Sequence, residues 1–374
     1  MKILILGDVG ASASNMEAFC KGNNELFSKE LLTYCENSDI VLLNLEKPLT
    51  DSETPLGRCA PDYCAPTDTI NGIMLLRPTA VTLANNHIMD QCEQGLDSTI
   101  TVLNQHHIKY VGAGKSTKQA RLPLIINQSG IKVGIYACCE KEFSVATDTK
   151  PGANGFDPLI SFDDIAELRS QCDHLIVLYH GGMQDYPYPT PYQQRICRKM
   201  CEKGADLVVC QHSHIIGCEE KYADGRIVYG QGNFILDQTY LESWHSGLMI
   251  QEILDGDHSN TDYIPVAMAG GKVSLHQKPE EILAAFNRRS EEIIEKEIVE
   301  NNFKSLCKDK LPGYLIKVSG KNRLTYRIIR RLRAEKAYSK LIYSEDSRNL
   351  LLDYLNCDSH REAIITGLEL LNRE

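Results

Sequence analysis

The sequence predicts an α/β fold with substantially parallel strands, and two observations predict it. From the start to about residue 255, short apolar runs alternate with longer amphipathic stretches. Each run spans four to seven residues, is rich in Ile, Val and Leu, and is bounded by Gly, Asp, Asn or Pro. Short apolar runs closed by turn formers are the pattern of strands buried on both faces. Strands that alternate with helices pair largely in parallel, because each helix carries the chain back across the sheet.

In chain order the expected strands are KILIL (2–6), DIVLLNL (39–45), AVTLA (80–84), KVGIYAC (132–138), HLIVLY (174–179), DLVVC (206–210) and RIVYG (226–230). Helical stretches lie between them, for example at 94–105 and 191–203, the second closed by Gly204, a residue that readily adopts the left-handed backbone ending a helix. The loop 48–68 holds four prolines and little periodicity; a loop that long inside a domain is functional or mobile. From about Pro279 the texture changes to charged helix formers, including RRSEEIIEKEIVE (288–300) and a basic stretch over 321–336. These features place a main domain over 1–275 and a mostly helical extension over 276–374.

Composition narrows the function. With 374 residues, 43% hydrophobic and 24% charged, the chain is long enough for a large core and too apolar for disorder. A formal charge of −10 repels polyanions at long range, which disfavours nucleic-acid binding. An anionic substrate must therefore be drawn in by a local feature such as a cation. The 14 cysteines form no CxxC pair, and Cys138, Cys139, Cys172 and Cys210 sit in apolar runs, where free cysteine acts as a small hydrophobe. Reduced thiols are expected, since disulfide frameworks belong to short secreted chains. The apolar stretch 3–6 is too short for a signal sequence or a membrane span, so a cytoplasmic protein is expected.

The chemistry lies at the carboxyl ends of five of the seven apolar runs. Gly7-Asp8 comes directly after the first run, Asn44 and Glu46 close the second, and Asn85-Asn86-His87 succeeds the third. His180-Gly181-Gly182 succeeds the fifth and Gln211-His212-Ser213-His214 the sixth. Open α/β sheets build their sites at the carboxyl ends of strands. Singly, an Asp after a strand reads as a turn or cap residue and a His beside an apolar run as a structural one. His-x-His is more specific, since alternate residues of an extended segment share a side. Together, three His, two carboxylates and an amide at one edge suit a divalent metal with mixed nitrogen and oxygen ligands.

The segments GDVG (7–10), NLEKPLT (44–50), ANNHIMDQCEQGLDST (84–99), YHGG (179–182), GADLVVCQHSH (204–214) and YGQGNFILD (229–237) resemble, in order, the signature of the CapA, or poly-γ-glutamate capsule synthesis, family. The resemblance covers about residues 1–255. It implies a four-layer α-β-β-α sandwich of the metallophosphoesterase, calcineurin-like type, with a small helical C-terminal extension. It also implies one or two divalent ions (Mn, Fe, Zn or Mg). Asp8 would ligate the first and Glu46 would bridge. Asn86, His180 and His212 would hold the second, and His214 would return to the first. His87 resembles the imidazole that stabilises developing charge or protonates the leaving group; Asp90 reads equally as its orienter and as a structural cap. Asn233 would order the edge of the site.

Two features depart from phosphoesterase patterns. Gly10 stands where Asp-x-His would place a histidine, and Gln184-Asp185 comes after the HGG turn where many relatives have a Glu and an aromatic. Two divalent ions against two carboxylates leave a local positive charge, and bridged metals polarise a scissile bond while lowering the pKa of bound water to about 7. The expected activity is hydrolysis of a phosphoester or amide of a capsule-related, poly-γ-glutamate or polysaccharide substrate by a metal-bound hydroxide. A non-catalytic accessory role in polymer synthesis and a general small-molecule phosphatase remain open beside it.

At the rim, Tyr186, Tyr188 and Tyr192 among Pro187, Pro189 and Pro191 read either as a surface for sugar or polymer or as plain loop packing. Arg58 reads as a solvated loop residue or as a bidentate clamp on an anion. The basic stretch after residue 321 carries Arg323, Arg327, Arg330, Arg331, Arg333 and Lys336 beside Leu324, Ile328 and Leu332. It reads as an amphipathic helix that packs on the main domain, or one that meets an anionic membrane, an acidic polymer or the capsule-synthesis machinery.

Overall fold

The computed structural model describes residues 1–57, 62–236, 242–256, 258–319 and 323–356, with the single positions 364 and 368. Two compact units make up the chain, Met1–Val299 and Glu300–Glu374; the first runs on past residue 275.

In chain order the first unit lays down β1 (Lys2–Gly10), β2 (Ile40–Leu45), β3 (Ala80–Thr82), β4 (Lys109–Val111), the short β5 (Ala113–Gly114), β6 (Leu124–Gln128), β7 (Ile131–Cys139) and β8 (Gly152–Ala153). Next come β9 (His174–His180), β10 (Leu207–Gln211), β11 (Glu219–Tyr222), β12 (Gly225–Val228), β13 (Asn233–Leu236), β14 (Ser246–Asp255), β15 (His258–Ala269) and β16 (Lys272–Leu275). One sheet has the order β16-β15-β14-β1-β2-β3-β4, with β13 also on β1; the other has β11-β12-β10-β9-β7-β6. Strands β1 to β4 pair in parallel, as do β7, β9, β10 and β12.

The apolar runs form these strands because each must serve two cores. Ile3 to Leu6 are wholly buried, but Leu4 and Leu6 join one cluster while Ile3 and Ile5 join another. That second cluster lies between the sheets: Ile5 and Leu42 meet Ile135, Ala137, Ile176, Leu178 and Val209 there. The outer face of the first sheet packs on helices through Phe19, Leu31, Ile73 and Leu96. The outer face of the second packs on Ile165 and Leu168 of helix Ser161–Arg169 and on Ile196 and Met200 of helix Pro191–Glu202. Three cores between four layers make this an α-β-β-α sandwich, as the family resemblance implies. Each such side chain removed from water contributes about 1.5–3 kcal/mol.

All seven expected runs are strands, with shifted ends. β3 stops at Thr82, two residues before its apolar run ends, and β1 continues to Gly10 through an irregularity in its pairing with β2 between Ile5 and Asp8. The antiparallel additions β14, β15 and β16 had no place among the expected strands, because charged and polar residues interrupt β15 and β16.

The second unit holds helices Arg323–Arg331, Glu335–Ile342 and Glu345–Asn356; helix Lys296–Val318 begins in the first unit and ends in the second.

Candidate metal centre

The sheet register collects the site. On the first sheet, Asp8 of β1 stands opposite Asn44 of β2 and Asn233 of β13. On the second, His180 of β9 stands between Cys139 of β7 and Gln211 of β10. His180 Nδ1 lies 3.9 Å from Asp8 Oδ1, so the carboxyl ends of both sheets meet.

Two groups of donors form. In the first, ligand atoms of Asp8, Glu46 and His214 all lie within 4.8 Å of one another, and all three residues are buried. Asp8 Oδ2 and Glu46 Oε2 are buried without a hydrogen-bond partner. Burial pushes both carboxyls above their ordinary range; for Glu46 the charge of Asp8 adds to that, while His214 and Asn44 draw Asp8 back down. Buried, partnerless acid oxygens facing one another are destabilising alone and are satisfied by a cation. In the second group, His180 Nε2 is 3.1 Å from Asn86 Oδ1 and 3.2 Å from His212 Nδ1. Ligand atoms bound at about 2.1 Å to one divalent ion stand about 3.0–3.4 Å apart, so this spacing fits a shared cation. Glu46 adjoins both groups, its Oε1 4.0 Å from His180 Nε2. The residues present therefore fit one or two divalent ions.

The imidazoles are held in ligand form. Burial lowers the pKa of all three, His212 to about 3. Asn233 donates through Nδ2 to Trp244 O at 3.1 Å, which turns its Oδ1 toward His214 Nδ1 at 2.9 Å. His214 Nδ1 must then carry the proton, leaving the Nε2 lone pair for a cation. Trp244 also lies against the ring of His214, centroids 4.2 Å apart.

His212 and His214 depart from the extended His-x-His geometry expected of them. Their φ angles are +90° and +60°, so the backbone turns after Gln211 and the two rings serve different groups rather than one side. Positive φ at histidine costs energy and persists only where surroundings impose it. The preceding turn is braced from helix Pro191–Glu202, whose Gln193 closes a capping box with Thr190 and donates to Gly181 O at 3.2 Å. Gly182 adopts φ +114°, and a Cβ there would collide with Gln193.

Of the two asparagines after β3, Asn85 is structural. It donates to Asn44 Oδ1 at 3.0 Å and to Leu45 O at 2.9 Å. Asn44 in turn donates to Asp8 Oδ1 at 2.8 Å. Asn86 is left to face His180. His87 Nδ1 lies 2.7 Å from Asp90 Oδ2, which also accepts from Tyr63 N at 2.8 Å, so Asp90 both orients the imidazole and pins a loop. A pocket lined by Glu46, Lys47, Tyr63, His87, Gln184, His214, Leu236 and Trp244 opens on this side.

Other expected residues fall elsewhere. Tyr186 is buried and stands 5.8 Å from the ring of Tyr188, whose hydroxyl donates to Glu292; this pair packs together and does not line the pocket. Arg58 lies outside the described residues. Residues with no assigned role join the site instead. Glu142 places Oε1 3.9 Å from His212 Nε2. Lys47, beside Glu46, is buried and donates to Ala11 O at 2.7 Å. Only Lys47 carried a signal, as the residue next to a suspected ligand; Glu142 and Trp244 are brought in by folding.

The chain is similar to several known proteins. The chain is 24% identical over 280 residues to the capsule biosynthesis protein CapA of Bacillus anthracis, covering 72% of this chain and 68% of that one. It is 28% identical over 264 residues to a Mycobacterium tuberculosis (strain CDC 1551 / Oshkosh) protein named "Probable polyglutamine synthesis accessory protein", covering 66% and 69%. A solved phosphatase of Mycoplasma pneumoniae is similar with a TM-score of 0.42 at 15% identity, covering 73% of this chain and 90% of that one. Residues 2–238 match the family described as bacterial capsule synthesis protein PGA_cap. The match spans more than half of the chain and takes in every residue of the two donor groups, and on it the chain belongs to the bacterial capsule synthesis protein family PGA_cap.

Proposed function

We propose that this chain is a metal-dependent hydrolase of a capsule-related anionic substrate, cleaving a phosphoester or an amide. The observation that carries the proposal is Glu46, which adjoins both donor groups and lines the same pocket as His87. A divalent ion bound there supplies an acidified water and polarises the bond to be cut. The chain's own residues do the rest. Asp8 and Glu46 provide the fixed negative charge that holds the cation, and the neutral imidazoles of His180, His212 and His214 add ligands without cancelling its charge. Asp90 holds His87 by Nδ1, so that Nε2 is the atom positioned to give a proton to a leaving group. Tyr63, its ring 4.7 Å from that of His87, narrows the pocket beside it.

Purified protein assayed in Mn²⁺ on aryl phosphates and on γ-glutamyl amides tests this, with metal content measured in parallel. His87→Ala retains metal and loses hydrolysis, by about 10²–10⁴-fold for a proton donor, whereas His212→Ala loses metal. A non-catalytic accessory role is the second reading. Gly10 in place of a ligating histidine favours it, as does the accessory role printed for the similar mycobacterial protein. Wild-type protein that binds poly-γ-glutamate and turns over no substrate establishes that reading instead; activity on small phosphoesters alone points to a general phosphatase.

A further inference from the structure

We propose that the basic helices of the second unit form a docking surface for an anionic lipid bilayer. Between residues 304 and 340 the chain carries twelve Lys or Arg and two Asp or Glu, a net +10. The whole chain carries −10, so the remaining residues carry −20. Charge of that asymmetry turns one segment toward a negative surface and the rest away from it.

Apolar exposure decides which surface. On helix Arg323–Arg331 and just beyond it, Leu324, Ile328 and Leu332 are 65%, 50% and 70% exposed. They recur every fourth residue and so share one stripe. Arg327 and Arg331, both exposed, come three residues after Leu324 and Ile328 and border that stripe. Ile329 is buried, so the helix has its packing face elsewhere and the stripe is additional. On helix Lys296–Val318, Leu311, Tyr314 and Val318 are also exposed, at 49%, 45% and 68%, again on one face. An acidic polymer or a nucleic acid needs the cations and gains nothing from exposed leucines. An anionic bilayer uses both, with arginines at the headgroups and the stripe below them. Among the described residues no helix is long and apolar enough to cross a membrane; amphipathic helices of this kind lie along the interface. The surface stands independently of the hydrolase reading, since it shares no residue with the metal centre.

Flotation of the full-length chain with vesicles tests it. The chain is expected to float with phosphatidylcholine vesicles containing about 30% phosphatidylglycerol and not with pure phosphatidylcholine. At about fivefold per cation near the surface, Arg327→Gln, Arg330→Gln and Arg331→Gln together reduce partitioning roughly 100-fold. Leu324→Ser, Ile328→Ser and Leu332→Ser together also abolish flotation while leaving the charge intact. Both triple variants change exposed side chains, and unaltered circular dichroism and metal content confirm that each is folded. Equal flotation on neutral and anionic vesicles overturns the proposal. So does full binding by the serine variant, or a wild-type chain that ignores vesicles but binds poly-γ-glutamate or duplex DNA through these arginines.

Discussion

Replacing Glu46 by Gln separates a metal centre from a buried polar cluster that merely holds the fold together. Ligand oxygens of Asp8 and Glu46 lie within 4.8 Å of each other. At an effective dielectric constant of about 20, two ionised carboxylates at that distance repel by about 3.5 kcal/mol. A divalent ion reverses the sign of this interaction; without the ion the repulsion opposes folding. Glu46→Gln keeps the shape, removes one charge and supplies an amide that can donate to Asp8. In chelator-treated protein near neutral pH, the variant is therefore more stable than wild type, by up to about 3 kcal/mol in urea denaturation. The pH dependence comes from the raised pKa of Glu46. Its folded-state value lies above the ordinary 4.5, so its contribution to stability is fully present below 4.5 and is lost as pH rises through the folded value. The advantage of the variant consequently shrinks in acid, where the wild-type carboxyl is protonated. Added Mn²⁺ at 100 times its dissociation constant stabilises wild type by about 2.7 kcal/mol and leaves the variant where it was. If Glu46→Gln is destabilised equally with and without chelator, the carboxylate is an ordinary structural acceptor and the metal reading falls.

Asn233→Ala removes the acceptor that orients His214; metal affinity by isothermal titration falls about 10–100-fold while the native circular dichroism is kept. Because the imidazoles of His180, His212 and His214 are held below their ordinary 6.5, their share of stability is present above 6.5 and is lost only in acid. Metal binding at pH 7 therefore releases no proton from these three imidazoles, which calorimetry in buffers of differing ionisation enthalpy checks; proton release that tracks an imidazole titration near 6.5 contradicts this. In the core between the sheets, Ile5→Ala, at a wholly buried position, costs about 2–5 kcal/mol in denaturation, and it weakens metal binding far less than Asn233→Ala does. Glu142→Gln lowers metal affinity modestly if its carboxylate, 3.9 Å from His212, acts on the cation's charge, and leaves thermal stability of the metal-free protein unchanged.

Much of this protein was legible in its sequence because the information is local. Runs such as Ile3–Leu6 and Leu175–Leu178 are apolar at every position, short and bounded by turn formers, the pattern of strands buried on both faces, which puts the polar residues after them at a sheet edge. The ordered motifs around Asp8, Glu46, Asn86, His180, His212 and His214 identified the family and its sandwich. The resemblance also implied how the donors divide; the tertiary structure decided the backbone that divides them. His212 and His214 serve different groups, as the resemblance implies, through positive φ at both, a backbone state no residue pattern announces. That Asn85 is a strut and Asn86 faces His180 depends on where Asn44 lies across the β1–β2 register. Trp244 and Glu142 enter from segments that carry no motif, and Tyr186 and Tyr188 turn to packing because Glu292 comes alongside. The physical reason is one of range. Burial and periodicity are properties of neighbouring residues, whereas a coordination geometry is set by register between strands far apart in the chain, and only the tertiary structure fixes that register.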